Sequence, residues 1–179
     1  STLTLKDGRV IDADLVVAKI SEVKQGARDD FVVYGLQWMW DPDEDGSIDD
    51  AQVDVANYSF FRPQNPSYID PVSHCIRYIT SKGGIVVTGS GNSGECITGS
   101  PSSLPEIISC GALEQSLTWW NSSSGYVYHA RTPDEYIRPD ITAPGFIVVT
   151  ALGGGYKNSA GTSNAAAFTT GAISLLLQA

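Results

Sequence analysis

Four short runs rich in valine and isoleucine are the feature of this chain that most restricts its possible folds. They lie at residues 14–20, 53–60, 84–90 and 106–113. Continuous apolar runs of this length are typical of strands that are buried on both faces, as in a parallel sheet covered by helices. We therefore predict an α/β fold built on a parallel sheet.

Segments with a helical pattern separate some of these runs. Two aspartates precede "FVVYGLQWMW" and mark a helix start, and apolar spacing predicts a second helix over residues 66–82 that ends at Gly83. The last segment, "GTSNAAAFTTGAISLLLQA", is rich in alanine and leucine. It predicts a buried helix that begins near Thr162 or Ser163.

Charge and hydropathy exclude two classes of partner. Eleven basic and 20 acidic residues give a net charge of −9, and no basic run could neutralise a phosphate backbone. We therefore expect no nucleic-acid partner. The sequence also contains no apolar stretch of about 18 residues, so we expect no membrane partner. The length of 179 residues corresponds to one domain.

A glycine-rich loop follows the third apolar run and has the spacing G-x-G-x-x-G at Gly89, Gly91 and Gly94. The same spacing after a strand is found in dinucleotide-binding proteins, where an acidic residue follows about 20 positions later. Glu114 stands in that position. A dinucleotide site is therefore one interpretation of the loop.

The residues after the loop argue against a nucleotide. A phosphate-binding loop opens a helix, but Pro101, Pro105 and the absence of a helical period make a helix here unfavourable. Only residues 95–105 separate the loop from the next apolar run, and a crossover helix needs about a dozen residues or more. The alternatives are a plain tight turn and a loop that positions the side chain of Asn92.

Ser163 stands where a glycine turn leads into the last helix, in "SAGTSNAAA". The positive end of a helix and its unpaired N–H groups favour a negative oxygen, which suits the nucleophile of an acyl transfer. The alternative is that Ser163 only caps the helix.

Five blocks of the sequence, in order and over nearly the whole chain, resemble those of the subtilisin-like serine proteases, the subtilases. "GTSNAAAFTTGA" is similar to the nucleophile block of that family, and "VVTGSGNSG" is similar to the block whose asparagine donates to the oxyanion. "RPDITAPG", "YGLQWMW" and "VDVANYSF" resemble three further blocks. The resemblance implies a three-layer parallel-sheet fold of the subtilisin type.

The resemblance also implies a function and a set of site residues. It predicts a secreted serine endopeptidase that acts on peptides or proteins, with Ser163 as nucleophile and Asn92 as oxyanion donor. It further implies that two short segments border the substrate; they consist of Ser59, Phe60, Phe61, Gly89, Ser90 and Gly91.

The catalytic Asp and His blocks of the family, D-T-G and H-G-T-H, do not occur in this sequence. The two histidines, His74 and His129, lie in a predicted helix and a polar segment, and neither resembles the catalytic block. Asp12 and Asp14 precede a predicted strand instead of ending one. No residue of this chain is therefore predicted to act as the base.

We therefore interpret residues 1–179 as the C-terminal major part of a subtilase catalytic domain, truncated at both ends. Its sheet would be incomplete without the N-terminal strands, and buried strands with unpaired edges associate readily. We expect the missing N-terminal segment or another copy of the chain as partner, and no proteolysis by this chain alone. The alternative is a non-catalytic binding or structural module, which the Phe60–Phe61 pair and the absent Asp and His favour.

The acidic segment "DPDEDGSIDDAQ", residues 41–52, fits the calcium-loop pattern D-x-D-x-D-G with Gly46 at the turn. Gln52 replaces the usual glutamate at the twelfth position, so the alternative is a solvated acidic loop. We predict a structural calcium ion and no organic cofactor. The predicted ligands are Asp41, Asp43, Asp45, Ser47 and Asp49.

Three cysteines, Cys75, Cys96 and Cys110, cannot all pair within one chain, and no C-x-x-C spacing suggests a zinc or redox site. Two alternatives stand. Cys96 and Cys110 could form a bridge across the loop after Asn92, or all three could be small buried residues.

Overall fold

The computed structural model describes residues 2–4, 10–22, 26–60, 70–94, 99–128, 136–151 and 153–178. In chain order the elements are β1 (Thr2–Thr4), β2 (Val10–Asp12), β3 (Ser21–Glu22), β4 (Gly26–Ala27), α1 (Asp29–Trp40), β5 (Val55–Tyr58), α2 (Pro71–Ser81), β6 (Ile85–Gly89), β7 (Ile108–Leu113), β8 (Tyr126–Tyr128), β9 (Tyr136–Arg138), β10 (Ile141–Pro144), β11 (Phe146–Thr150), β12 (Tyr156–Ala160) and α3 (Thr162–Gln178).

A four-stranded parallel sheet in the order β10-β7-β6-β5 forms the centre of the fold. The apolar runs at 53–60, 84–90 and 106–113 correspond to β5, β6 and β7, so these strand predictions are confirmed. The remaining strands pair as four antiparallel two-stranded sheets: β1 with β2, β3 with β4, β8 with β9, and β11 with β12.

Helices cover both faces of the parallel sheet, which confirms the predicted three-layer α/β fold. Val86 of β6 belongs to a core cluster that it shares with Leu36 of α1 and Ile76 of α2. The next residue, Val87, points to the other face and packs with Ala165 and Ala166 of α3. Successive side chains of a strand alternate between faces, so a continuous apolar run supplies both cores.

The predicted helices are present with adjusted boundaries. The second begins only at Pro71, because the carboxylate of Asp70 caps it by accepting a hydrogen bond from the backbone N–H of Ser73 at 2.9 Å. It ends before Gly83, which has a φ of +101°, as expected for a residue just beyond a helix. Among the described helices, none has the length and apolarity needed to cross a membrane.

Strand β10 was not predicted, because only Ala143 of its four residues is buried. Two residues just before β10, Arg138 and Asp140, help to hold this strand against β7. The backbone N–H of Asp140 donates to Ser109 O at 2.9 Å, and the Asp140 carboxylate accepts from Ser109 N at 2.7 Å. The buried Arg138 forms an ion pair with Asp140. The "RPDITAPG" block thus positions an edge strand through polar contacts that hydropathy does not detect.

The prediction of a buried strand at residues 14–20 is wrong. This segment belongs to no strand, and the side chains of Leu15 and Val17 are 82% and 72% exposed. A buried strand needs a neighbour that satisfies its backbone, and no strand in the described part of the chain pairs with it. The end of the segment is partly packed, since Ala18 and Ile20 lie close to Gly35 of α1.

The prediction that the last helix is buried holds for its first half only. Thr162, Ala165, Ala166 and Thr169 are buried, whereas Leu176 near the end of α3 is 75% exposed. A cavity of about 530 Å³, which we call the edge cavity, lies between this exposed end, residues 13–14 and the start of β5. Among the described strands β5 pairs only with β6, so the end of α3 and the edge cavity lie beside the outer strand of the described sheet.

Candidate active site

The carboxyl ends of the parallel strands bring the predicted catalytic segments to one edge of the sheet. Ser59 follows β5, Asn92 lies just beyond β6, and Gly145 follows β10. Helix α3 begins at the same edge with Thr162. Crevices at the carboxyl ends of parallel strands are the usual ligand sites of open α/β sheets, so this edge is the candidate active site.

Asn92 is attached to the start of α3 through its side-chain carbonyl. The Oδ1 atom accepts hydrogen bonds from the backbone N–H of Thr162 at 2.9 Å and from the Thr162 hydroxyl at 3.0 Å. With Oδ1 occupied, the Nδ2 amide is left as the donor end of the side chain, and it has no hydrogen-bond partner among the described residues. The structure thus brings Asn92 and the first turn of α3 together, 70 residues apart in sequence.

The glycines of the loop allow α3 to approach β6 closely. A Cβ atom on Gly89 would lie 2.6 Å from Thr162 Oγ1 and 2.8 Å from the carbonyl carbon of Thr162. Gly91 has a φ of +113°, and its N–H donates to Thr162 Oγ1 at 3.2 Å. The loop opens no helix in residues 90–94 and 99–107, so the dinucleotide interpretation lacks the element that would bind a phosphate.

Ser163 lies half-buried in the first turn of α3. Its backbone N–H is one of the first N–H groups of the helix, which have no intrahelical acceptor. Its hydroxyl donates to the backbone carbonyl of Ser59 at 3.4 Å, and the Ser59 hydroxyl donates to the Ser163 carbonyl at 3.3 Å. Ser163, its N–H group and the free amide of Asn92 therefore share one end of α3.

Comparison with known sequences places the chain in the family that its motifs resemble. A sequence model of the subtilase family matches residues 3–179. The chain belongs to the subtilase family. The members of this family are serine proteases.

Two known proteins resemble this subtilase. The thermophilic serine proteinase of Bacillus sp. (strain AK1) is 31% identical over 108 residues, which cover 59% of this chain and 24% of that protein. The solved structure of the prenylagaramide maturation protease PagA superposes with a TM-score of 0.69 at 19% identity, covering 85% of this chain and 50% of that one. This likeness confirms the fold. The chain spans about a quarter of the first relative and half of the second.

The segment after β5, predicted to border the substrate, lies beside Ser163. Ser59 is held from one side by Asn57, whose amide donates to the Ser59 hydroxyl at 2.9 Å. Phe60 is 39% exposed, and its ring lies 5.9 Å from that of the buried Tyr58. Phe61 lies outside the described residues, so its predicted contact with the substrate stays a prediction.

The predicted substrate-bordering residues of the glycine loop are less accessible. The Ser90 side chain is fully buried, and its backbone N–H donates to Cys110 O at 2.8 Å. Gly89 and Gly91 face Thr162, as described above. A role of these three residues in substrate binding stays a prediction, and their described contacts are with the protein itself.

No base for Ser163 is found in the described part of this subtilase. The described hydrogen-bond partner of the Ser163 hydroxyl is a backbone carbonyl. His74 is exposed on α2, and Asp14 is exposed before β3. His129 and the side chain of Asp12 lie outside what the structure describes.

The two described cysteines, Cys75 and Cys110, do not offer an alternative nucleophile. Burial raises the pKa of the Cys75 thiol to about 11, and burial likewise raises the pKa of Cys110. A thiol with a raised pKa is uncharged near neutral pH and therefore a weak nucleophile. Cys110 is a free thiol that donates to Thr169 Oγ1 at 3.0 Å, so it is not bridged to Cys96, which lies outside the described residues.

Two contributors to the site were not predicted from the sequence. Thr162 connects the loop after β6 to the start of α3 through both its N–H and its hydroxyl. Asn164 donates through Nδ2 to Gly145 O at 2.9 Å and to Ser159 Oγ at 3.1 Å. Threonine is common at helix starts, where it caps the helix, so the sequence did contain a signal for the role of Thr162. Asn164 carried none, because no sequence pattern connects it with its partners Gly145 and Ser159, which lie outside α3.

The acidic loop brings together a different set of carboxylates from the one predicted. Carboxylate oxygens of Asp41, Asp43 and Asp50 lie within 4.8 Å of one another. Asp49 is not in this group. Loss of surrounding water and, next, the charge of Asp43 raise the pKa of Asp50 above its usual value.

The other predicted ligands stabilise the turn itself. Asp45 Oδ1 accepts from Ser47 N at 2.7 Å, and Ser47 Oγ accepts from Asp49 N at 3.2 Å. The buried Asp41 accepts from the backbone N–H groups of Asp45 at 3.0 Å and Gly46 at 3.2 Å. The loop is thus folded by its own carboxylates, and three of them converge.

Proposed function

We propose that this chain supplies the nucleophile and the oxyanion hole of a serine endopeptidase. The observation that carries the proposal is the double hydrogen bond from Thr162 to Asn92 Oδ1, which fixes the amide of Asn92 beside Ser163. Two donors, Asn92 Nδ2 and Ser163 N–H, then flank the position of a carbonyl oxygen. Fixed donors that are aimed at developing negative charge give a large part of the rate enhancement in acyl transfer.

In the proposed reaction the Ser163 oxygen attacks the carbonyl carbon of a peptide bond. The carbonyl electrons move to oxygen, and the two donors stabilise the resulting anion. The hydroxyl proton must pass to a base, which later returns it to the leaving amine so that the C–N bond can break. No described residue receives the proton, and the sequence contains neither a D-T-G nor an H-G-T-H block. We therefore propose that the base lies outside this chain and that the chain alone is inactive.

We further propose that the partner is an N-terminal catalytic segment or a second copy of this chain. Two observations support the proposal. Among the described strands β5 pairs only with β6, which leaves its other side open to a further strand, and Leu15 and Val17 expose apolar side chains that a partner could cover. In this proposal the chain is the C-terminal major part of a catalytic domain. We also propose that the protein is secreted, as the resemblance to the subtilases implies.

Labelling with a fluorophosphonate probe tests the absence of a base. We expect the purified chain to react with the probe no faster than its Ser163→Ala variant, as measured by mass spectrometry over time. In subtilisin, a member of the same family, loss of the catalytic histidine alone costs about 2 × 10⁶ in turnover. Rapid labelling of Ser163 without added protein would contradict the proposal, and size-exclusion chromatography of the same sample distinguishes a monomer from a self-paired dimer.

A non-catalytic binding module is the second candidate function. It is favoured by the contact of the Ser163 hydroxyl with the Ser59 carbonyl, which leaves the oxygen without an activating partner. The encoded residues that precede Ser1 discriminate between the two functions. D-T-G and H-G-T-H blocks there support the protease, and their absence supports the binding module.

We also propose that the acidic loop binds calcium. The convergence of Asp41, Asp43 and Asp50 supports this, because oxygens that share an ion at about 2.3–2.6 Å lie within roughly 5 Å of one another. Calcium would neutralise the mutual repulsion of the three carboxylates. The same cation would supply no chemistry to the peptide-cleavage step.

Thermal melting with calcium or with a chelator tests the calcium proposal. At a calcium concentration about 100 times the dissociation constant, binding adds about 2.7 kcal/mol of stability, or roughly 5–10 °C for a chain of this size. We expect Asp50→Asn to abolish this difference and the neighbouring Asp49→Asn to retain it. Equal melting temperatures with and without chelator in the unmodified chain would disprove calcium binding.

A further inference from the structure

A cavity of about 560 Å³ lies at the same edge of the sheet as Ser163 and has no role in the mechanism above. We call it the β7–β10 cavity, because two of its walls come from the residues after β7 and after β10; the third comes from β12. Its volume lies in the usual range for ligand sites. It is lined by Glu114, Gln115, Ser116, Phe146, Ile147, Asn158, Ser159 and Ala160.

The strand order places this cavity on the other side of the nucleophile from Ser59. Ser59 follows β5 at one edge of the sheet, whereas the cavity residues Glu114 and Phe146 follow β7 and β10 toward the opposite edge. The wall residue Ser159 also contacts the nucleophile's neighbour, since its hydroxyl accepts from Asn164 Nδ2 at 3.1 Å. The cavity and Ser59 therefore lie on opposite sides of the start of α3, at the same end of the sheet.

The cavity combines an apolar wall with one charge. Phe146 is held by an edge-to-face contact with Trp120, with ring centroids 5.6 Å apart. The half-buried Glu114 uses its backbone groups to close the turn with Leu117 and Thr118. Its carboxylate has no ion-pair partner within the described part of the chain.

We propose that this cavity binds a cationic side chain, lysine or arginine, of the substrate peptide. The aliphatic stem would lie on Phe146 and Ile147, and the charged end would pair with Glu114. The net charge of −9 also favours the approach of basic peptides. The proposal rests on the proposed function: Ser59 lies on one side of Ser163, and the cationic residue of the same peptide would lie on the other side.

Peptide binding tests this proposal without any catalytic turnover. A single arginine is moved along a neutral fluorescent octapeptide, and each peptide is compared with its uncharged citrulline analogue by fluorescence anisotropy on the Ser163→Ala chain. At one position we expect arginine to bind about threefold to fivefold more tightly than citrulline, as for a partly exposed ion pair. Glu114→Gln should bring this ratio close to one.

Glu106→Gln serves as the matched control. It also removes one negative charge, but Glu106 pairs with Arg77 and does not line the cavity. It should keep the preference for arginine. Equal binding of arginine and citrulline peptides at every position, or a preference that survives Glu114→Gln, would overturn the cavity proposal and leave the proposed protease function standing. Failure of every peptide to bind would overturn both the cavity proposal and the peptide-substrate part of the proposed function.

Discussion

Replacing Asn92 by aspartate is expected to leave the chain folded and to remove its contribution to peptide hydrolysis. Aspartate has the same shape and keeps an oxygen that can accept from the N–H and hydroxyl of Thr162. Its negative charge at the start of α3 is favourable by about 0.3–1 kcal/mol. The second oxygen, however, replaces the N–H donor and would repel a developing oxyanion.

Two variants separate the structural role of Asn92 from its chemical role. Asn92→Ala loses both contacts with Thr162 and should lower stability by about 1–2 kcal/mol, or roughly 2–8 °C in melting temperature. Asn92→Asp should melt at or above the temperature of the unmodified chain. Both should lower turnover by at least about 10²–10³, the magnitude known for the corresponding donor of subtilisin, a member of the same family.

Turnover is measured on the chain assembled with the segment that supplies its base, using a peptide substrate, and stability is measured by thermal melting of the chain alone. An Asn92→Asp enzyme with near-normal turnover would show that the side-chain amide does not hold the oxyanion. Normal melting of Asn92→Ala would show instead that the contact with Thr162 does not stabilise the start of α3.

The sheet could be predicted from the sequence wherever burial on both faces produces a continuous apolar run. β6 and β7 satisfy this condition, whereas β5 buries Ala56 and Tyr58 on one face and exposes Asn57 on the other. β10 does not satisfy it, because its position depends on Asp140 and Arg138. Residues 14–20 show the opposite error: apolar composition predicts what a segment can bury, and pairing with another strand decides whether it does.

Only the site residues that belong to family motifs could be predicted from the sequence. Resemblance to a family identified Ser163 and Asn92, and the structure places both at the start of α3. The position of Thr162 at a helix start was visible in the sequence, but its contact with Asn92 and the contact of Asn164 with Gly145 join separate segments, and no local pattern reveals these contacts. The acidic loop gives the same lesson at short range, because the turn orients Asp50 and not Asp49 toward Asp41 and Asp43.

The two parts of the candidate oxyanion hole come from different elements, and one interface sets their separation. Asn92 lies in the loop after β6, and Ser163 lies in α3. Gly89 is at the end of β6, where the backbone of Thr162 passes closest to it. The absence of a side chain at position 89 therefore decides both how tightly α3 packs on the sheet and how far the two donors stand apart.

We accordingly expect Gly89→Ala to be strongly destabilising. The new Cβ would lie 2.6 Å from Thr162 Oγ1 and within 3.0 Å of two backbone atoms of Thr162, so α3 must shift. Forcing a methyl group into such a contact costs about 1–3 kcal/mol, or roughly 2–12 °C for a chain of this size. In the assembled enzyme the shift should also lower turnover, because catalytic groups tolerate little displacement.

Gly171→Ala provides the matched control in α3 itself. A Cβ at Gly171 meets no atom within 4 Å, and alanine is favoured over glycine inside a helix by about 0.5–1 kcal/mol. The same chemical change should therefore lower the melting temperature at position 89 and raise it at position 171. If both substitutions changed the melting temperature by the same amount in the same direction, α3 would not pack against Gly89 as closely as described. The proximity of Asn92 and Ser163 would then lose its structural basis.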